Sequence, residues 1–343
     1  MKIIPLTPDH YQEFIEFNKQ IYPGRKNIEN RFKLQVLENP LLTEKSHPSV
    51  LLMCNKENQI VGFQGGTPLQ YCWQGETIDC LAGIGGIIQE EYQKKGRGAF
   101  LMHKWLKTHS SFFTIGISQL MQQILLSLGM QKIGEAHTYL WIRKFSSPLK
   151  MAWSWLTKDK YQSERGSDVS CFPEKVSFQN NQFIKVNSQK QIRISDYSPW
   201  KKEVLEFSRS PEFLDWRFMG KETHALYQLD PATYFVLKKV DWLGMNLLAI
   251  LDYKYSDKNK FKLILRLAKL MAKKMDCDGV ITVSSHHFFD AQLKDNSFFK
   301  IGKPFPIMTN VAIDVSKERI EKRDLILVKM VDPDLEFAHR AFS

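Results

Sequence analysis

The first 145 residues alternate between short apolar runs and segments in which apolar residues recur at helical spacing. Thr7-Pro8-Asp9 predicts a helix start, because threonine caps a helix N-terminus and proline suits its first position. Leu120, Ile124 and Leu128 fall on one face of another predicted helix. Strand-like runs occur at residues 50–53, 60–63, 67–73, 77–88, 112–117 and 137–142. The order is strand, two helices, three strands, helix, strand, helix and strand, which predicts a mixed α+β domain.

The second half of the chain repeats this order with weaker signals. Strands are predicted at residues 225–229, 233–240, 245–255, 279–284 and 307–315, and helices after Ser210 and at 261–275 and 288–293. The polar segment between the halves contains Trp153 and Trp155, which we interpret as anchors that pack across both halves. We predict domains at residues 1–145 and 195–343, joined by a linker at 146–194.

The composition is that of ordinary globular domains. The 343 residues exceed the usual size of one domain, and 43% of them are hydrophobic. No apolar run approaches the roughly 20 residues of a membrane span, and the N-terminal residues lack the apolar centre of a signal peptide. The five cysteines are dispersed, without the paired spacing of a zinc site. We expect a cytoplasmic protein with reduced thiols and no bound metal.

The net charge of +11 favours an anionic ligand or partner. The cations are spread along the chain, and no motif of a nucleic-acid-binding domain accompanies them. A solvated lysine-rich surface explains the charge as well as a specific polyanion site does. We therefore expect no nucleic acid partner, while a small anionic ligand stays open. The sequence indicates no particular oligomeric state.

One segment carries clear chemical information, and it joins the apolar run at 78–88 to the next predicted helix. Two glycines stand among three cations where the strand gives way to the helix N-terminus. Glycine lets an anion approach the backbone, the first N–H groups of the helix point towards it, and the cations add positive potential. The pattern predicts a pyrophosphate site formed by Gln93, Lys94, Lys95, Gly96, Arg97, Gly98 and Ala99.

Spacing separates this segment from two other nucleotide-binding loops. A Walker loop needs G-x-x-x-x-G-K-[ST], which is absent, and a dinucleotide fingerprint needs a third glycine where Leu101 stands. The pattern present, Gln93-x-x-Gly96-x-Gly98, resembles the acyl-coenzyme A loop of the GNAT (Gcn5-related N-acetyltransferase) superfamily. The order of elements in residues 1–145 is also similar to that of a GNAT domain. A plain loop with nearby lysines is the structural alternative.

The resemblance implies two tandem GNAT-like domains, each a twisted mixed sheet flanked by helices, and acetyl-coenzyme A or another acyl-coenzyme A as cofactor. It also implies that backbone groups of Gly86, Ile87 and Ile88 hold the pantetheine arm and polarise the thioester. Gly85-Gly86 is unusual inside a strand, and it fits either a close ligand or a β-bulge.

The acid–base residues depart from the superfamily pattern. Some members place a glutamate where this chain has Ala82, and many place a tyrosine where it has Leu125. An attacking amine must lose a proton. Asp79 is the carboxylate inside the predicted strand, and it is our candidate catalytic residue. An exposed strand aspartate without a catalytic role is the structural alternative.

The second half departs from the superfamily at the corresponding loop. Residues 256–260 contain no glycine, so we expect no coenzyme there, and a role for this half in shaping the acceptor site or in stability. The resemblance implies an acyl-coenzyme A-dependent N-acyltransferase acting on a small amine, such as an amino sugar or a nucleotide-linked amino sugar. Two alternatives stay open: a Fem-type aminoacyl or peptidyl transferase, and a non-catalytic acyl-coenzyme A-binding or sensor protein.

Overall fold

The computed structural model describes residues 1–23, 28–42, 49–93, 96–108, 110–144, 172–195, 203–220, 223–311, 313 and 317–332. In these residues it contains fifteen β-strands and eight α-helices, and the strand pairs are both parallel and antiparallel. The predicted mixed α+β class is therefore confirmed. The chain divides into two compact units: unit 1 is Met1–Tyr71, Thr77–Ile133 and Pro306–Val315, and unit 2 is Cys72–Glu76, Gly134–Phe305 and Ser316–Ser343.

Unit 1 contains a six-strand arrangement in the order β1-β2-β3-β4-β5-β14. The strands are β1 (Lys2–Pro5), β2 (Val50–Cys54), β3 (Ile60–Trp73), β4 (Glu76–Ile88), β5 (Phe112–Ile115) and the end of β14 (Phe299–Thr309). The helices are α1 (Tyr11–Ile21), α2 (Ile28–Phe32), α3 (Arg97–Leu106) and α4 (Gln119–Ser127). Helix α2 continues into a π-helical turn at Lys33–Leu37. Strands β4 and β5 are parallel, whereas β5 and β14 are antiparallel.

Two separate hydrophobic clusters hold this sheet between its helices. On one face, Phe14 of α1 and Phe32 of α2 pack with Phe63 of β3. On the other face, Trp105 of α3 stacks edge-on against Phe112 of β5, with ring centroids 4.3 Å apart. The alternation of side chains along a strand lets one apolar sheet contribute to both clusters.

Unit 2 has the strand order β6-β13-β12-β11-β10-β8-β7, with β9 paired to β15. The strands are β6 (Gln131–Ile142), β7 (Lys175–Phe178), β8 (Asn181–Val186), β9 (Leu205–Phe207), β10 (His224–Asp230), β11 (Thr233–Trp242), β12 (Met245–Lys254), β13 (Gly279–Ser284) and β15 (Ile326–Leu327). The helices are α5 (Pro211–Phe218), α6 (Lys258–Lys274), α7 (His287–Asp295) and α8 (Lys317–Lys322). One pair of long strands, β12 and β13, is parallel.

The compact units differ from the predicted domains in three exchanged segments, of which the shortest, residues 72–76, belongs to unit 2. Residues 134–144 belong to unit 2, where β6 pairs antiparallel with β13, and residues 306–315 belong to unit 1, where β14 pairs with β5. Within the predicted linker, residues 175–186 form a hairpin, and β8 of this hairpin joins β10. Trp153 and Trp155 lie outside the described residues, so their anchoring role stays a prediction.

Candidate functional site

The parallel strands β4 and β5 pair for only a short distance and then separate. The paired residues are Leu81 with Phe112 and Ala82 with Phe113. At the next residue, a β-carbon on Gly83 would lie 3.1 Å from the Phe112 ring and 3.3 Å from the hydroxyl oxygen of Thr114. Beyond Ala82 no further described residue of β4 pairs with β5, and residues 83–87 are at most partly buried. We call the space beside this part of β4 the gap.

Glycine is required at positions 85 and 86 of β4 for two different structural reasons. Gly85 has φ of +152°, a backbone conformation that residues with a side chain rarely adopt. Gly86 has an extended backbone, but the side-chain amide of Gln64 occupies the space that a β-carbon there would need. The positive φ at Gly85 and the buried side chain over Gly86 thus explain the unusual pair without a ligand.

The backbone groups at the end of β4 face two directions. Gln89 donates its N–H to the carbonyl of Val61 on β3, at 2.9 Å. Ile87 also faces β3, since its carbonyl oxygen lies 2.9 Å from the position of a β-carbon on Gly62. Alternation along the strand turns the backbone of Ile88 to the side away from β3. The predicted contacts of Gly86, Ile87 and Ile88 with a pantetheine arm stay predictions.

The predicted pyrophosphate loop follows directly. Gly96 is the N-cap of α3 and has a left-handed conformation, with φ of 68° and ψ of 17°. Apart from its chain neighbours and the helix itself, no described residue has an atom within 4 Å of the place where its β-carbon would stand. The N–H groups of Arg97, Gly98 and Ala99 lie in the first turn of the helix, where an α-helix has no intrahelical acceptor for them. Among the described residues no side chain caps this turn.

Two side chains shape this loop, and two lie outside the described residues. Gln93 donates its side-chain N–H to the carbonyl oxygen of Ile88 at 2.9 Å, which ties the loop to the end of β4. The Arg97 guanidinium carbon lies 5.8 Å from the centre of the Tyr92 ring. Lys94 and Lys95 belong to the segment that is not described, so their contribution stays a prediction. Gln93 therefore acts on the shape of the loop.

The candidate catalytic residue lies away from the gap. Asp79 is exposed on β4 and accepts a hydrogen bond from the side-chain amide of Gln70 at 2.9 Å. It precedes Ala82, where the strands begin to separate, by three residues, or about 10 Å of extended chain. Ala82 and Leu125, which stand where superfamily members often have acid–base groups, are fully buried. The predicted role of Asp79 stays a prediction.

Sequence reasoning missed two polar residues near the gap. Thr114 is buried on β5, with its hydroxyl close to Gly83, and Gln64 is buried on β3, with its amide over Gly86. A polar residue inside an apolar strand is the signal that could have found them. The partner glycines on β4 were identified, but the register that brings the side chains to them depends on the fold.

Unit 2 has a corresponding strand pair with a different helix start. Strands β12 and β13 are parallel, and their pairing runs from Leu247 opposite Gly279 to Ala249 opposite Ile281. Helix α6 follows β12. Asp257 is the N-cap of α6, and its carboxylate accepts the N–H groups of Asn259 and Lys260 at 2.8 and 3.2 Å. A polar groove of about 490 Å³ lies beside this turn. The carboxylate already occupies the helix N–H groups that would attract an anion.

Aromatic side chains fill the space between the strands and helices of unit 2. Phe261 of α6 and Phe289 of α7 lie edge-on, with centroids 4.8 Å apart, and Tyr253 of β12 is 5.3 Å from Phe289. Tyr255, just after β12, is 5.6 Å from the same ring. All four rings are at most 3% exposed. The four rings belong to one hydrophobic core cluster of unit 2.

A buried ionic network further fixes β12. Asp252 accepts hydrogen bonds from Arg209 at 2.8 Å and from the Tyr234 hydroxyl at 3.0 Å, and Lys329 lies 3.5 Å from its other oxygen. Arg209 also pairs with Asp332. Burial alone would raise the pKa of the Asp252 carboxyl, but Arg209 and Lys329 reverse this effect and hold the pKa below its usual value. Such a group is charged and structural at neutral pH.

The described part of the chain gives two further results on ligands and membranes. No cluster of three or more histidine, cysteine, aspartate or glutamate residues in it is placed to bind a metal ion. None of its helices combines the length and the apolar character needed to cross a membrane.

The fold is that of the GNAT acyltransferases, as the sequence resemblance predicted. The chain is similar to a GCN5-related N-acetyltransferase from Anabaena variabilis, with a TM-score of 0.56 and 14% identity, over 90% of this chain and 72% of that one. It is also similar to Saccharomyces cerevisiae N-myristoyltransferase with bound myristoyl-CoA, with a TM-score of 0.56 and 11% identity, over 90% and 78% of the two chains. A third similar structure is a putative acetyltransferase from Pyrococcus horikoshii, with a TM-score of 0.52 and 10% identity, over 94% of both chains.

Sequence comparison adds nothing to this result. No family model matches the chain, and no curated protein matches it. At these low identities the structural similarity establishes the fold, and the activity has to be argued from the site itself.

Proposed function

We propose that this protein is an acyl-coenzyme A-dependent N-acyltransferase whose cofactor site lies in unit 1. The observation that carries the proposal is the left-handed Gly96 at the start of α3, which leaves the helix N–H groups uncapped beside open space. Helix N-termini of this kind bind phosphate groups. Gln93 holds the loop against β4, and Arg97 adds a positive charge next to it.

The gap beside β4 suits the remainder of the same ligand. The pantetheine arm contains amides, which can pair with backbone groups of an unpaired strand edge. The backbone of Gly86 and the N–H of Ile88 would supply such groups, since Gln93 already engages the Ile88 carbonyl, and the absence of a β-carbon at Gly85 would allow close approach. A backbone N–H in this segment would stabilise the negative charge that develops on the thioester oxygen during attack by an amine.

The bound acyl-coenzyme A supplies an activated acyl group and a thiolate leaving group. The protein then has to position the amine, accept one proton from it and exclude water. Thr114 is the nearest described hydroxyl to Gly83 in the gap, and Asp79 is the more distant carboxylate of the same strand. We propose that the amine reacts largely from its own deprotonated fraction, so the rate should rise with pH across the neutral range.

The proposed acceptor is a small amine, with an amino sugar or a nucleotide-linked amino sugar as the first class to test. The net charge of +11 would suit a phosphorylated acceptor. The similarity to a protein crystallised with myristoyl-CoA supports acyl-coenzyme A as the donor class and leaves the acyl chain open.

A non-catalytic acyl-coenzyme A-binding protein is the second candidate function. Specific observations favour it: Ala82 and Leu125 are buried apolar residues at positions where acid–base groups are common in the superfamily, and Asp79 lies outside the gap. Such a protein would bind acyl-coenzyme A without releasing thiol when amines are added.

One pair of variants tests the site directly. Gly96→Asp places a carboxylate where the pyrophosphate would lie, and we expect acetyl-coenzyme A affinity to fall at least about 100-fold by calorimetry, the combined effect of repulsion and a filled site. Gly302→Asp is the matched control, because Gly302 has nearly the same φ of +67° and equally open surroundings. Unchanged affinity in a folded Gly96→Asp protein would refute the site.

A thiol-release assay over a panel of amines then separates the two functions. Release that depends on an amine supports the transferase. Tight binding without release across the panel supports the binding protein.

A further inference from the structure

A small cavity lies in unit 1 on the face of the sheet that α1 and α2 cover. Its volume is about 50 Å³. Phe14 and Ile15 of α1 line one side, and Phe32 and Val36 line another. Ile84 of β4 forms part of the wall on the sheet. Seven of the ten lining residues are apolar, three of them aromatic, and Asn18, Arg31 and Gln35 add polar side chains.

The cavity touches the segment of β4 assigned to the thioester. Ile84 immediately precedes Gly85, and the ring of Phe63, which also lines the cavity, is 3.8 Å from the position of a β-carbon on Gly85. Ile84 and Ile87 pack with the cluster under α1 and α2, whereas Leu81 packs with the cluster under α3. The cavity therefore lies across the strand from α3, beside the point where β4 has no side chain.

The chemistry of the lining selects the kind of group that can enter. Asn18 donates its side-chain N–H to the carbonyl oxygen of Phe14 at 2.9 Å, so this amide group already has a hydrogen-bond partner. A polar or charged ligand group would lose its hydration in a mostly apolar space, whereas a hydrocarbon chain would gain from burial. One water-sized group needs about 10–15 Å³ of such a volume, so the cavity has room for about four groups of methylene size.

We propose that this cavity binds the acyl chain of the donor, and that the protein prefers a linear chain of about four carbons over acetyl. This inference rests on the proposed function, because the thioester has to lie beside Gly85 and Gly86 for its chain to pass Phe63 and Ile84. The carbonyl stays at the strand, and the terminal methyl group lies near Val36.

A chain-length series on the full-length protein tests the preference. Calorimetry with coenzyme A and its acetyl, butyryl, hexanoyl and dodecanoyl thioesters gives the affinities. The two added methylenes should make butyryl-coenzyme A bind about 15-fold more tightly than acetyl-coenzyme A, since each buried methylene contributes about fourfold. Dodecanoyl-coenzyme A should bind no tighter than the hexanoyl form. Equal affinity for the acetyl and butyryl forms overturns the acyl pocket alone, whereas no binding of any form overturns the proposed function as well.

A matched pair of variants assigns the preference to this cavity. Val36→Phe fills the cavity from the π-helical turn after α2, and Leu37→Phe adds the same ring at the next residue, which is 42% exposed. We expect Val36→Phe to abolish the preference for butyryl over acetyl, and Leu37→Phe to change neither this preference nor the acetyl-coenzyme A affinity. A preference that survives in Val36→Phe, or that both variants lose equally, overturns the assignment.

A second variant covers the case in which the added ring prevents folding. Phe32→Leu enlarges the same cavity, and we expect it to move the preferred chain length upwards by one or two carbons. A preferred length identical to that of the parent protein would overturn the proposal independently of Val36→Phe.

Discussion

The starts of α3 in unit 1 and α6 in unit 2 follow the same plan and have opposite chemistry. Each helix follows a strand that is parallel to the next strand of its sheet. At α3 the N-cap is Gly96, which has no side chain and leaves the first N–H groups free of a capping group. At α6 the N-cap is Asp257, whose carboxylate takes two of these N–H groups. A helix that follows a parallel strand can therefore begin with its first N–H groups uncapped by a side chain, as at the left-handed Gly96, or capped, as at the extended Asp257.

The spaces beside the two strands differ in the same way. Residues 83–87 of β4 are at most partly buried, and Gly86 among them is exposed. In unit 2, Tyr253, Phe261 and Phe289 pack beside β12 and belong to one hydrophobic core. The strand that precedes α6 is thus covered by packed rings, whereas the strand that precedes α3 is left partly exposed.

The largest effect should come from removing one of the packed rings of unit 2. Phe289→Ala removes the ring that contacts α6 and β12, and we expect a loss of about 3–5 kcal/mol in unfolding free energy, the usual cost of deleting a buried aromatic side chain. Denaturant unfolding measures it, with the exposed Phe299→Ala as control, for which a change within about 0.5 kcal/mol is expected. Coenzyme affinity should be unchanged in both. A Phe289→Ala protein as stable as the parent would mean that the ring cluster does not hold unit 2 together.

The start of α7 in unit 2 should make the free energy of unfolding depend on pH. His286 is the N-cap of α7, and its ring nitrogen Nδ1 accepts the N–H of Phe288 at 3.2 Å. Burial and the neighbouring His287 lower the pKa of His286 from 6.5 to about 4. Since the folded pKa lies below the unfolded one, this stability is complete above about pH 6.5 and is lost as pH falls towards 4, by up to about 3 kcal/mol. In unit 1, Ser118 caps α4 with a hydroxyl that does not titrate in this range.

The measurement is denaturant unfolding between pH 7 and pH 4. His286→Asn keeps a side chain that caps helices well and removes the titrating ring, so the decline below pH 6.5 should become shallower. A pH dependence equal to that of the parent protein would assign the effect to other groups.

A smaller effect is expected at the charged residue of the open helix start. Arg97→Ala should weaken acyl-coenzyme A binding by about 1–3 kcal/mol, the range of a charge-assisted hydrogen bond. Higher salt should reduce the difference between the two proteins, because screening weakens an exposed interaction. Arg193→Ala is a suitable control, since it removes an exposed arginine of unit 2. Equal affinities for Arg97→Ala and the parent would show that Arg97 does not contact the ligand.

The smallest effect concerns the closed helix start itself. Asp257→Ala removes the cap of α6, and we expect a destabilisation of about 0.5–2 kcal/mol by thermal or denaturant unfolding. Asp257→Gly tests whether the cap alone explains why we expect coenzyme binding in unit 1 and none in unit 2. We expect no second coenzyme site by calorimetry, because Tyr253 and Phe289 still fill the space beside β12. A stoichiometry of two in this variant would show that the cap was the decisive difference.

The sequence by itself determined the elements and the character of both helix starts. Gly96-x-Gly98 marks a helix N-terminus open to an anion, because only glycine adopts a left-handed backbone cheaply and leaves no side chain there. The glycine-free residues 256–260 indicate a closed start, and Asp257 indeed caps α6. These features are local: they depend on backbone preferences and on neighbours within a few residues, which a linear sequence records directly.

Only the tertiary structure decided what surrounds these starts. It brought Gln64 over Gly86, turned the backbone of Ile87 towards β3, and placed Phe289 beside Tyr253. It also assigned residues 134–144 and 306–315 to units that chain order does not indicate. The physical reason is that strand register and the burial of apolar side chains are set by contacts between residues far apart in the chain, and many pairings satisfy the same alternating pattern until the whole core is packed.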